Sequence, residues 1–120
     1  MDNKEFSKNL EARTKRFAIN IITLSSQIPY SIESKVIRNQ LTKSGTSIGA
    51  NYREANRARS KADFQSRIGI CESEASETAY WLEILDEMNW ISPLALDEIT
   101  KETHELQGIF TSIGKSLKTK

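Results

Sequence analysis

Residues 60–85 read SKADFQSRIGICESEASETAYWLEIL, and the fold class follows from them. Ser60 is a natural helix N-cap, and Asp63 three residues on resembles a capping box with a shorter acid. Phe64, Ile68, Cys71, Ala75, Thr78, Leu82 and Leu85 then recur in alternating steps of four and three. An apolar period of 3.5 residues held over three heptads marks a helix packed in a bundle. A second stripe, Ile70, Trp81, Ile84 and Met88, runs beside the first. A helix with two apolar stripes touches more than one neighbour, so it sits centrally or carries a subunit contact as well as the core. Asn89 can close it.

The same step continues on both sides of this segment. Upstream, a first helix runs from about Asn3 to Ile28, with Leu10, Phe17, Ile21, Leu24 and Ile28 in register and Phe6 and Ala18 widening the stripe. Ile28-Pro29 ends it, because proline disfavours helical geometry in the residue before it. A second helix runs from about Ser31 to Ala58 on Ile37, Leu41, Ser44, Ile48, Asn51, Ala55 and Ala58. Half of that stripe is small or polar. Gly45 and Gly49 stand four apart on it, and each glycine costs about 1 kcal/mol against alanine in a helix interior. A close helix–helix approach offsets that cost; the alternative is a break at Gly45. Downstream, Ser92-Pro93 starts a fourth helix with an N-cap and a first-turn proline. Ile99, Thr103, Leu106, Phe110, Ile113 and Leu117 keep the step. Lys115, Lys118 and Lys120 place cations at its negative end. Links of two to four residues force antiparallel neighbours. The expected fold is all-α: one domain, residues 1–120, an up-down-up-down four-helix bundle.

Composition removes several classes. The 120 residues are 38% hydrophobic, enough for a core without staples in a single domain. No apolar run is long enough to cross a bilayer, and no basic-then-apolar leader precedes the first helix, so a cytoplasmic protein without a membrane role is expected. One cysteine makes neither an internal disulfide nor a structural zinc site.

The net charge of +1 conceals an asymmetry. Residues 1–70 hold thirteen Lys and Arg against six Asp and Glu, while residues 71–120 hold four against ten. Basic helices can lie beside acidic helices within one chain. Alternatively, the basic side of one subunit can face the acidic side of the next, or the basic half can meet phosphates.

Tests for catalytic chemistry come out negative. A di-metal bundle needs Glu-x-x-His on two helices, but Lys101 stands three residues before His104, which is the only histidine. His104 reads as a surface or edge residue. Cys71 is at a core position, where cysteine behaves as a small hydrophobe. Gly45 and Gly49 lack the lysine and spacing of a nucleotide loop. No enzyme activity, cofactor, metal site or small-molecule substrate is expected.

Two surfaces remain. The segment NYREANRARSKADFQSR, residues 51–67, gathers Arg53, Arg57, Arg59, Lys61 and Arg67 around one tight turn. Cations near a helix C-terminus are favoured on structural grounds alone. The functional reading is contact with the phosphate backbone of RNA or DNA, which gives affinity without sequence choice. The other surface is the outer stripe of the third helix, where Glu74 and Glu77 flank Ile70, Trp81 and Ile84. These acids form either a solvated edge or a pairing surface for arginines, Arg53 and Arg57 being the candidates, from the second helix or from another subunit.

The run RSKADFQSRIGICESEASETAYWLEIL, with SGTSIGANYREANRA before it, resembles a small bacterial four-helix-bundle family named for reading frames inside intervening sequences of large-subunit ribosomal RNA genes. RTKRFAINII, the Ile28-Pro29 stop and FTSIGKSLKTK extend the match from about Leu10 to Lys118. The resemblance implies a bundle that assembles as a homopentameric barrel, with no known activity. Its fold is similar to that of the accessory protein of diversity-generating retroelements, a basic pentamer that binds nucleic acid. This chain has a pI of about 7.8 and is less basic. Asn51 and Glu54 occupy the family's Asn-x-x-Glu positions, which implies a role in packing and register, beside Gly45 and Gly49, rather than in catalysis. Ala55 stands where many relatives have glycine, a change expected to lengthen or firm the helix end. The expected function is that of a non-enzymatic oligomer contacting RNA or DNA weakly through the basic turn. The alternative is a protein-interaction module using the Ile70–Trp81–Ile84 stripe.

Overall fold

Serine caps and two stop signals divide the chain into its elements. The structure, a computed structural model, describes residues 3–118, so Lys120 lies outside the described residues. Four helices follow in order: α1 (Asn3–Ser26), α2 (Ile32–Ala55), α3 (Lys61–Met88) and α4 (Pro93–Lys118). At Ser31 the hydroxyl accepts from the Ser34 amide at 3.0 Å and the Ser34 hydroxyl accepts from the Ser31 amide at 2.8 Å, a reciprocal cap that satisfies two orphan donors. At Ser60 the extended backbone (φ −150°) lets the hydroxyl accept from the Asp63 amide at 3.0 Å. Asn89 ends α3 in the left-handed region at φ 56°, a conformation that asparagine tolerates better than most residues.

Two helix ends fall short of expectation. α1 stops at Ser26, and a tighter turn, Gln27 to Leu24 and Ile28 to Ser25, carries the buried Ile28 into place. α2 stops at Ala55 rather than Ala58. Arg57 and Ala58 donate back to Glu54 and Ala55, a three-residue tightening that lets the chain reach the extended Ser60 cap.

Each helix lies closely against its two sequence or ring neighbours, and the diagonal helices come together only through core side chains. The cross-helix pairings run antiparallel: Ser25 with Thr42, Ser44 with Thr78, Ile48 with Cys71, Glu72 with Thr111. The result is an up-down-up-down bundle with extents of 47 × 25 × 21 Å.

The heptad stripes form the core. Leu10, Phe17, Ile21, Leu24, Leu41, Ile48, Ile68, Leu82, Leu85, Leu106 and Phe110 are all buried. Thr14, also buried, fills the heptad position between Leu10 and Phe17 by returning its hydroxyl to Leu10 O at 2.9 Å. On α2 the buried aromatic is Tyr52, whose ring meets Phe110 edge-on at 5.6 Å between centroids.

Gly45 and Gly49 mark the closest approach of α1 and α2. A Cβ on Gly45 would lie 2.8 Å from Ile21 side-chain carbons, and one on Gly49 would lie 2.9 Å from Thr14 Oγ1 and 3.2 Å from the Thr14 backbone carbon. The helix continues through both residues.

The seam between α1 and α4 is the least closely packed. A groove of about 660 Å³ runs along it over Phe17, Leu24 and Ile99. Arg13 bridges the seam, with Nε 2.7 Å and Nη2 2.6 Å from the two Glu102 carboxylate oxygens and Nη2 3.1 Å from Glu105. Among the described residues, no helix is long and apolar enough to cross a membrane.

Candidate nucleic-acid interface

The α2–α3 turn comprises residues 56–60, and the shorter α2 puts Arg57 and Arg59 in the turn itself. Both are exposed, as are Arg53 in the last turn of α2 and Lys61 at the start of α3. The fold therefore brings four of the five expected cations to one end of the bundle. Arg67 lies further along α3, half-buried.

Partners divide these five residues. Arg53 Nε lies 3.6 Å from Glu11 Oε1 on α1, where Glu11 also accepts from Asn56 at 2.8 Å. Arg67 Nε lies 3.4 Å from Asp63, four residues back on its own helix. Arg57, Arg59 and Lys61 join no ion pair among the described residues. Exposed cations of this kind can neutralise phosphates and so release the counterions condensed on a nucleic acid.

The outer stripe of α3 is a single face. Ile70, Glu74, Glu77, Trp81 and Ile84 follow the four-three step with Met88 beyond them. Ile70 is 41% and Met88 47% exposed, while Trp81 is half-buried against the core. Trp81 Nε1 donates to Glu77 Oε2 at 3.4 Å, and the Tyr80 ring meets the Trp81 ring edge-on.

Of the two readings of Glu74 and Glu77, pairing with Arg53 and Arg57 of the same chain is not made. The α2–α3 register sets Cys71 beside Ile48 and Thr78 beside Ser44, so Glu74 and Glu77 are displaced along α3 from those arginines, by about three to four turns for Arg57. Asn51, on the expected core stripe, is half-buried: its Nδ2 donates to Ser47 O of its own helix at 2.8 Å, and Glu54 is exposed. The buried position of that turn belongs to Tyr52.

The groups considered for chemistry are in unreactive surroundings. Cys71 is fully buried, and desolvation pushes its thiol up to about 12, far from a nucleophile's range. His104 is exposed. Among the described residues, no cluster of three or more His, Cys, Asp or Glu side chains could hold a metal ion.

Sequence reading missed two features. One is the Arg13–Glu102–Glu105 bridge, whose members lie on opposite edges of helices that are far apart in the chain. The other is the placement of α4's last turn: Lys118 lines the same recess as Ala62, Gln65 and Ser66 of α3. The up-down topology implied that neighbourhood, since α4 ends where α3 begins.

The family model described as 23S rRNA-intervening sequence protein matches residues 8–112. Among solved structures, a protein of unknown function from the S23 ribosomal protein family of Bacteroides thetaiotaomicron VPI-5482 is 36% identical. That alignment covers 88% of this chain and 97% of the other, with a TM-score of 0.81. No curated protein matches.

Proposed function

The chain belongs to the 23S rRNA-intervening sequence protein family, and from that membership we propose that it is a non-enzymatic, oligomeric bundle protein that contacts RNA or DNA through its α2–α3 turn. The observation that carries this reading is the trio Arg57, Arg59 and Lys61, exposed at the α2–α3 junction and in no ion pair among the described residues. Contact of this kind is electrostatic and independent of sequence. A pentamer, as the resemblance implies, presents about five copies of the turn, and linked sites raise a weak affinity by roughly 10²–10⁴.

A gel-shift series at low salt tests this. Binding is expected in the wild type, to fall as salt rises, and to be lost when Arg53, Arg57, Arg59 and Lys61 are all changed to alanine. Unchanged binding by that variant, or none by the wild type, removes the reading.

One observation favours a second reading, that of a protein-interaction module. Ile70 and Met88 are exposed in line with Trp81, which suits a self-association face. Light scattering on Trp81→Glu is expected to show a smaller particle than the wild type. An unchanged mass would separate the stripe from the interface.

A further inference from the structure

The cations left without protein partners extend beyond the α2–α3 turn. α4 runs antiparallel to α3 and ends where α3 begins, with Lys118 in the recess lined by Ala62, Gln65, Ser66 and Gly69. Lys115 and Lys118 are exposed in that last turn. Like Arg57, Arg59 and Lys61, they join no ion pair among the described residues. Two carboxylates toward this end are paired with cations, Glu11 with Arg53 and Asp63 with Arg67. Glu72 accepts from Thr111, a neutral donor, and lines the recess beside Lys118, and Glu5 is exposed in the first turn of α1. Glu54 stays exposed beside them. Residues 54 to 61 apart in sequence thus place cations across the end of the bundle, with Lys61 and Lys118 on neighbouring helices.

This surface is poor in exposed rings. Phe6 is the aromatic side chain exposed toward this end, at 40%, while Phe64 packs on the core and Tyr52 and Phe110 are buried. Tyr30 and Tyr80, both exposed, sit toward the other end. Proteins that hold single strands rely on aromatic platforms for stacked bases. A surface of cations without such platforms gains most from the partner with the densest phosphates, and a duplex carries about one charge per 1.7 Å.

We infer that the whole end of the bundle, Arg57, Arg59 and Lys61 together with Lys115 and Lys118, is a sequence-independent surface for double-stranded nucleic acid. The inference rests on the phosphate-contact reading above and adds to it both the α4 tail and the preference for a duplex. The bundle's 25 × 21 Å cross-section spans about six to seven base pairs at a duplex rise of about 3.4 Å.

Fluorescence anisotropy with labelled DNA and RNA duplexes of about 14 base pairs (two such footprints), and with single strands of equal length, over a series of salt concentrations, tests it. Three variants are compared with the wild type: Lys115→Ala/Lys118→Ala, Arg57→Ala/Arg59→Ala/Lys61→Ala, and Lys35→Ala/Lys43→Ala away from this end. All the changed side chains are exposed, and far-ultraviolet circular dichroism checks that each variant is folded. The wild type is expected to bind either duplex more tightly than its single strand. The α4 pair is expected to lower the slope of log affinity against log salt by about two and the affinity several-fold, the turn triple by more, and the Lys35/Lys43 pair by little. A wild type that binds nothing overturns the phosphate reading itself. A turn triple that loses binding while the α4 pair matches the wild type overturns only the end-wide surface. Tighter binding to single strands, or an equal loss in the Lys35/Lys43 pair, overturns the inference too.

Discussion

Gly45 and Gly49 show how a single missing side chain sets helix spacing. Alanine at Gly45 would gain helix propensity but drive a methyl to 2.8 Å from Ile21. At Gly69, Gly108 and Gly114 nothing lies within 4 Å of an added Cβ, so there only the backbone term remains. Gly45→Ala is expected to lower stability by about 1–2 kcal/mol, because overpacking outweighs a propensity gain of about 1 kcal/mol. Gly69→Ala is expected to raise it by about 0.5–1 kcal/mol. Urea denaturation of the two variants checks the pair, and the same sign for both would mean that α1 and α2 are not held at this distance. The residue scale also has the clearest departure from expectation. Asn51 follows the heptad count, yet its amide turns back to Ser47 O while Tyr52, one residue on, faces Phe110. A count of heptad positions does not register that a large ring fills the bundle centre better than an amide.

Among the elements, three of the four seams are closed by interdigitated side chains and the fourth by a charge clamp. At the α1–α4 seam Arg13 holds Glu102 through two parallel hydrogen bonds above the Phe17–Ile99 groove. The hydrogen bonds to Glu102 raise the Arg13 pKa further, so the guanidinium stays charged at every working pH. Both side chains are about a third exposed, and such pairs stabilise modestly because water and salt screen them. A double-mutant cycle of Arg13→Ala and Glu102→Ala is expected to give a coupling of about 0.5–1 kcal/mol that shrinks in about 1 M salt. A coupling near zero at low salt would leave the seam to its apolar floor alone. The helix starts at Ser31, Ser60 and Ser92 were legible because a cap is a local event, decided within about four residues. The end of α2 was less so. Its last turn is set by the geometry needed to reach the Ser60 cap, and Ala58 fits the apolar step whether or not it is helical.

Across the whole molecule the two halves of opposite charge fold beside one another, and Arg13 on α1 meets Glu102 and Glu105 on α4. Some of the basic charge is therefore spent inside the chain. Other cations outside ion pairs among the described residues, Lys35 and Arg38 included, lie along the bundle, but Arg57, Arg59, Lys61, Lys115 and Lys118 share one end, while the other end exposes Tyr30, Ile32 and Leu94. The sequence showed that the turn was basic. It did not show that Arg53 and Arg67 are tied to carboxylates.

The amino-acid sequence determined on its own the four helices, their antiparallel order and the greater part of the core. Those depend on the periodicity of burial and on turns of a few residues, and both are local or repeat along the chain. Tertiary structure decided which charges are neutralised and which are left over, because an ion pair such as Arg13–Glu102 depends on the rotation of two helices about their axes and on their register. Neither quantity is written in the spacing of either helix alone.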